Sequence, residues 1–520
     1  MFQPDLRVLT DPSVIGPILL LILPLVAGAL ALDWLVRPRP LRRFGLPWRS
    51  AKGAVLLTLV STALYGGFLA LCGNAGLSAL LAFALLALLA LASNAKRAML
   101  GEPLLFSDLA LMGAIFRHPQ FYLSALSGWQ KLAMAAVAAL LALALAWLFV
   151  ADPVPHGIGA GLALVGVAAL TSILRLPGFR ALAPRPDPDA DMTRLGLVPT
   201  LILHWRRWRE MPDAPPCPPV QRSAIAPGLA PPELIVAIQC ESFADPVELF
   251  GDPAMALPGL TAARADAWHW GNLLVSGFGA YTMRTEYALL FGREESDLGF
   301  RRFDPFLTAL RDSSYALPIR LRPAGWRSLF LHPHDMRFYG RDRILPASGF
   351  DRLVGEESFA PPAKGEGRYV TDAAIAHEIL TRAAEATDPT LLYAVTIENH
   401  GPWSADKDAA AQGSDSRSPG LLVEKYRRLV GKGDTMLAEL RAGIAALQRP
   451  ALLVFFGDHR PSIPGASEPG GNRHTPYVVL RFDARGQLVK GDGQPRDLTP
   501  AALHHLILDN ALGAVVSVAD

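Results

Sequence analysis

Charge is scarce in this chain and cysteine is scarcer still. Of 520 residues, 18% are Asp, Glu, Lys or Arg, against about 25% in an ordinary soluble domain. Neither sign prevails: 49 Lys and Arg face 47 Asp and Glu, a formal net charge of +2. That balance argues against a nucleic-acid binder, which needs a basic excess to meet phosphate. Three cysteines, Cys72, Cys217 and Cys240, are too few for a disulfide-dense scaffold or a four-cysteine zinc module. Disorder is excluded too, because a chain that is 51% hydrophobic must bury that surface somewhere.

The scarcity of charge is uneven. Residues 1–175 hold 12 Lys and Arg and 6 Asp and Glu, net +6; the remainder holds 37 and 41, net −4. Residues 12–32 carry no charge and are long enough to cross about 30 Å of hydrocarbon. Residues 53–95 are uncharged throughout, too long for one crossing, and the break at Cys72-Gly73-Asn74-Ala75-Gly76 divides them in two. Residues 132–151 and 153–174 give two more spans, split by Asp152-Pro153-Val154-Pro155. These predict a five-helix transmembrane domain over residues 1–175. Residues 103–123 read as a re-entrant or interfacial helix, since their uncharged run from Leu109 to Phe116 is too short to span. The loop after the first span, RPRPLRRFGLPWRSAK, holds six positive charges and should be cytoplasmic. Five crossings from an outside N-terminus would then leave the C-terminal domain in the cytoplasm as well.

Residues 176–232 form a proline-rich linker. Within it GLVPTLILHWRRW suits a helix at the lipid interface, with rings and cations at headgroup level. A short helix docking against the soluble domain has the same pattern.

From Glu233 onward, ELIVAIQ, RSLFLH, TLLYAVTI, ALLVFF and TPYVVL read as buried strands alternating with helical stretches. Continuous apolar strands between helices predict an α/β domain with a mainly parallel central sheet. Reactive groups in such sheets gather beyond the carboxyl ends of the strands. There the chain reads Glu241-Ser242-Phe243, His334-Asp335, Glu398-Asn399-His400 and Asp458-His459-Arg460. Glu241, Asp458 and His459 are oxygen and nitrogen donors suited to Mn²⁺, Mg²⁺ or Zn²⁺. Residues 277–292, GFGAYTMRTEYALLFG, predict a glycine-permitted turn and then a helix with Thr282 near its N-terminus. A threonine there serves either as a helix cap or as a nucleophile activated by a nearby cation.

Together these residues resemble the alkaline phosphatase/sulfatase superfamily, and within it the lipoteichoic acid synthase and phosphoglycerol transferase branch. The pieces that carry the resemblance are Glu241-Ser242-Phe243, Thr282 with Glu286-Tyr287, FYGRD at 338–342, ENHGPW at 398–403 and FFGDHR at 455–460. The resemblance implies a sulfatase-like catalytic domain over 233–520. It also implies one divalent metal, Mn²⁺ foremost and Mg²⁺ or Zn²⁺ otherwise, on Glu241, Thr282, Asp458 and His459, with Thr282 also the nucleophile. Arg341 and His400 would contact the phosphate or its glycerol, with His400 either a proton donor or a hydrogen-bonding pocket residue. Tyr339 stands where the family often has Trp, His334 or Asp335 would fall near a further substrate contact, and His474 would either line the pocket or be a solvated loop histidine.

Two departures narrow the activity. Sulfatases mature a Cys or Ser to formylglycine, whereas this chain reads Thr-Met-Arg-Thr at 282–285, which argues against sulfate-ester hydrolysis. Phosphoethanolamine transferases typically carry several disulfides in their soluble domain, and Cys240 is the only cysteine after residue 232. The expectation is transfer of glycerol phosphate from phosphatidylglycerol to a hydroxyl of an envelope glycan or glycolipid through a phosphothreonine-type intermediate. The alternatives are a phosphoethanolamine transferase or phosphodiesterase with the same core, or an inactive membrane-tethered binding module. Relatives work outside the cytoplasmic (inner) membrane, so the resemblance puts the catalytic domain on the periplasmic or extracellular side, against the count of positive charges.

Overall fold

The computed structural model describes residues 12–40, 42–43, 46–47, 49–109, 128–219, 230–363, 366–403 and 418–513. The chain divides into two units: Met1–Ala98 with Glu102–Met211, and Met99–Gly101 with Pro212–Asp520.

Among the described residues, four helices are long and apolar enough to cross a membrane: Ile15–Leu35, Ala51–Cys72, Ala75–Leu100 and Pro153–Arg175. The uncharged stretch 53–95 is indeed broken at Gly73 and Asn74, where the Asn74 side chain accepts from the Leu77 N–H at 3.0 Å. Ala51–Cys72 packs closely on Pro153–Arg175 because both are glycine-notched. A Cβ on Gly66 would lie 2.4 Å from the Ala163 nitrogen, and one on Gly159 would lie 2.3 Å from that of Ala70. Small residues let apolar helices approach this way. At the fifth expected span a helix runs Gly128–Leu148, with an apolar stretch over Ala135–Leu148. Of the re-entrant segment expected at 103–123, residues 110–123 lie outside the described residues.

The linker helix Leu197–Glu210 buries Leu197, Val198, Leu201, Leu203 and His204, packed with Val36, Leu56, Leu57 and Ala90 of its own unit. Its anchoring is polar as well as apolar. The carboxylate of Asp33 accepts from the Leu197 N–H at 3.0 Å and pairs with Arg49 at 2.6 Å. His204 meets Asp191 at 2.9 Å. An anion at a helix N-terminus satisfies N–H groups that have no partner within the helix.

The second unit is built on one eight-stranded sheet. Its strands are β1 (Leu234–Cys240), β2 (His269–Leu273), β3 (Arg327–Leu331), β4 (Arg352–Val354), β5 (Thr390–Val395), β6 (Ala451–Gly457), β7 (Thr475–Phe482) and β8 (Leu488–Val489). Their order is β8-β7-β6-β1-β5-β3-β4, with β2 also on β7. The five strands β6-β1-β5-β3-β4 are mutually parallel, while β7 runs antiparallel to β6, β2 and β8. All seven residues of β1 are buried, which is why the parallel strands read as unbroken apolar runs. Leu234, Val236 and Ile238 face one core with the helices Asp372–Glu385 and Pro419–Ala446. Ile235 and Ala237 face the other, with Thr282–Phe291 and Pro500–Leu512. The result is a three-layer α/β domain, and the five parallel strands end at one edge.

Candidate active site

At that edge β1 runs into Glu241 and β6 into Asp458 and His459. One ligand atom from each of the three lies within 4.8 Å of the others, and all three residues are buried. The turns that present them are tied together. Ser242, at φ 50°, donates its N–H to Asp458 Oδ1 at 2.8 Å and its hydroxyl to Glu241 Oε1 at 2.8 Å. His459 donates its N–H to the same Oδ1 at 2.9 Å. Asp458 Oδ2 is buried with no hydrogen-bond partner. Buried polar atoms are almost always satisfied, so this oxygen marks a place that a cation suits. His459 Nδ1 lies 3.1 Å from the Arg460 carbonyl. A carbonyl only accepts, so Nδ1 carries the proton and the Nε2 lone pair is left to ligate. Two carboxylates and one imidazole fit a hard or borderline divalent cation. Burial and then the neighbouring Asp458 carboxylate push the Glu241 carboxyl up to about 8, as expected where two acids converge.

Thr282 is the first residue of its helix. The cap position belongs to Tyr281, at φ 78°, whose side chain makes no capping bond. The Thr282 hydroxyl is buried and faces His459 Nε2 at 3.5 Å, at the limit for a hydrogen bond. One turn on, the Thr285 hydroxyl donates to the Asp458 carbonyl at 2.8 Å and fixes the helix to the loop that follows β6.

Arg341 is 1% exposed. Its guanidinium grips Glu286 through Nε at 3.0 Å and Nη2 at 2.6 Å. Its Nη1 meets His332 Nε2 at 3.1 Å. His332 Nδ1 lies 2.9 Å from the Val395 carbonyl, so Nδ1 donates there and Nε2 accepts from Arg341. The Arg341 charge is still felt at the centre, where it opposes the rise of the Glu241 pKa. Tyr339, at φ 59°, has its ring 5.4 Å from the guanidinium.

His334 and His400 belong to a run of rings. Centroids lie 6.0 Å apart for His332 and His334, 6.1 Å for His334 and Tyr369, and 5.8 Å for Tyr369 and His400. Burial, and then Arg341, lowers His334 to about 4, so it is neutral at physiological pH. Desolvation also lowers His400, although its edge reaches solvent. Its Nδ1 donates to the Gly401 carbonyl at 2.7 Å, leaving Nε2 available. Asp335 turns outward to Arg337 at 2.8 Å. His474 is engaged by Glu248 at 2.8 Å, and its carbonyl accepts from Arg460 Nε at 2.7 Å. It therefore reaches the centre only through the residue after His459.

Sequence reasoning missed Glu286, His332, Asn399 and Tyr369 as parts of this site. Asn399 donates to the carbonyls of Glu241 at 3.2 Å and Ser242 at 3.3 Å, bracing the first ligand. Glu286 had a signal: four residues after Thr282, it shares that helix face.

The Sulfatase family model matches residues 233–507. The chain belongs to this family. Its members are phosphotransferases or sulfatases that use a divalent metal. The chain is 27% identical over 436 residues to the capsular polysaccharide biosynthesis protein RkpI of Rhizobium meliloti, covering 79% of each. Among solved structures it is similar to the lipooligosaccharide phosphoethanolamine transferase A (EptA) of Neisseria meningitidis, at 13% identity and a TM-score of 0.53, over 94% of this chain and 95% of that one. The phosphoglycerol transferase GacH of Streptococcus pyogenes is a further neighbour at 15% identity and a TM-score of 0.42, over 54% of this chain and 74% of that one. A helical membrane region followed by a sulfatase-like domain is thus a fold shared with EptA.

Proposed function

We propose that the protein is a membrane-anchored phosphoglycerol transferase that moves glycerol phosphate from phosphatidylglycerol to a glycan hydroxyl. The observation that carries this reading is the Thr282 hydroxyl, buried at a helix N-terminus against His459, Asp458 and Glu241. A sulfatase would need Cys or Ser at that place. The glycan acceptor is supported by the polysaccharide role in the name of the 27%-identical relative.

A divalent cation on Glu241, Asp458 and His459, Mn²⁺ foremost, would supply the positive charge that favours the Thr282 alkoxide and offsets phosphate charge. Thr282 Oγ1 attacks phosphorus from the first turn of its helix, where N–H groups and the dipole favour an anion. His400, neutral and with Nε2 available, passes the threonine proton to the departing diacylglycerol oxygen. In the second half the acceptor hydroxyl returns a proton to Thr282, so the cycle is proton-neutral. Arg341, clamped by Glu286 and His332, forms the positive wall behind the phosphate. His334, Tyr339 and Tyr369 line the place of the glycerol, and Asp335 holds the loop through Arg337. The catalytic domain works outside the inner membrane, where envelope glycans lie.

The test is full-length protein in vesicles with headgroup-labelled phosphatidylglycerol or phosphatidylethanolamine. Label from the former should reach the acceptor, and only with Thr282 intact. Transfer of ethanolamine phosphate instead would establish the alternative.

A further inference from the structure

A cavity of about 380 Å³ opens beside the Thr282 helix, within the usual range for small-molecule sites. Thr285 and His474 stand in its wall. The first bonds the Asp458 carbonyl and the second receives Arg460, so both are tied to the loop that follows β6. Thr285 is three residues along the helix from Thr282, about 4.5 Å at the helical rise.

The wall mixes apolar side chains, Leu274 and Val275 among them, with charges that balance. Two cations, Arg284 and Arg473, stand with two carboxylates, Glu294 and Glu295. An anionic headgroup would meet two like charges here. A neutral ligand rich in hydroxyls would meet donors and acceptors together. The carboxylates are held ready: Glu295 pairs with Arg302 at 2.7 Å, and Glu294 accepts from the Thr499 hydroxyl at 2.5 Å. A carboxylate has about four lone-pair directions, so each keeps capacity for ligand hydroxyls.

From this we infer that the cavity seats a neutral saccharide unit of the acceptor, beside the unit whose hydroxyl reacts. The inference rests on the phosphotransfer reading above. In the step it serves, the acceptor oxygen bonds to phosphorus, the bond from phosphorus to Thr282 Oγ1 breaks, and the hydroxyl proton ends on Thr282.

The experiment uses full-length protein in phosphatidylglycerol vesicles with Mn²⁺ and a set of neutral gluco-oligosaccharides as probes. Glycerol phosphate released to water and glycerol phosphate transferred to sugar are measured together, and oligosaccharide binding is followed by saturation-transfer NMR. Two variants are compared with the wild type. Glu294→Gln removes an acceptor of charge, and Gly471→Phe narrows the cavity. Gly471 lines the cavity and a Cβ there meets nothing within 4 Å, so this variant should fold. We expect the ratio of transfer to hydrolysis to fall about tenfold or more while hydrolysis stays at the wild-type rate. An unchanged ratio, or equal loss of both, overturns the assignment, as does a wild type that neither binds nor uses any oligosaccharide. If the wild type releases no glycerol phosphate at all, the phosphotransfer reading fails instead. The cavity is then judged on binding alone, which Gly471→Phe should abolish and which would overturn the assignment if it did not.

Discussion

Both halves of the chain bury charge, and they complete it differently. In the membrane-side unit each buried acid meets a partner within the protein: Asp33 has Arg49 at 2.6 Å and Asp191 has His204 at 2.9 Å. In the catalytic unit Glu241 and Asp458 converge on one imidazole, and one Asp458 oxygen has no partner. Burying charge is unfavourable unless it is paired. The first arrangement is complete as folded and fixes a linker helix. The second is complete only when something positive arrives, which is how a fold stores a binding site.

The largest test of that contrast is Asp458→Asn. Transfer should fall by about a thousandfold or more. Chelation should lower the melting temperature of the wild type, through loss of a ligand of the folded state, and leave that of the variant unchanged. Equal chelator shifts in both would show that the metal sits elsewhere. The membrane-side counterpart is Asp33→Ala, which strands Arg49 and should cost about 3–5 kcal/mol of stability. Replacing both partners with apolar residues should recover most of it, as thermal unfolding in detergent would show.

A smaller effect should follow Glu286→Gln. It loosens Arg341 without touching substrate, so kcat should fall about 10- to 100-fold with the metal still bound stoichiometrically. Unchanged kcat would remove Glu286 from the site's support. The smallest concerns pH. Burial, and then the neighbouring His505, holds His504 down at about 3, against about 6.5 in an unfolded chain. Between those values the unfolded chain takes up a proton that the folded chain refuses, so stability falls as pH drops through that window. His334, at about 4, adds to the same slope. Glu241, at about 8, slopes the other way, so the check is a difference: from pH 7 to 5 the wild type should lose a few degrees more of melting temperature than His504→Gln.

Much of the catalytic centre was legible beforehand because a parallel sheet brings strand ends together whatever the intervening sequence. Glu241, Asp458 and His459 each follow an apolar strand directly, and the domain has the expected α/β layering. Glu286 was legible as a neighbour of Thr282, but its role and that of His332 were not, because both exist only through Arg341, which lies 55 and 9 residues away in sequence. His332 also reads as the last residue of a strand. The partners of the Asp335 and His474 side chains, Arg337 and Glu248, were not legible either. The Leu197–Glu210 helix could not be resolved from pattern alone, since lipid and protein reward the same amphipathic face. The contact of its first N–H with Asp33, 164 residues earlier, is not visible in the pattern.

The most direct test of the central claim is the mass of the Thr282 peptide after rapid quenching of wild-type protein turning over phosphatidylglycerol without acceptor. The account predicts a glycerol phosphate adduct on Thr282 that disappears when a glycan acceptor is added. An unmodified Thr282 throughout turnover, or the same adduct on another residue, would contradict it.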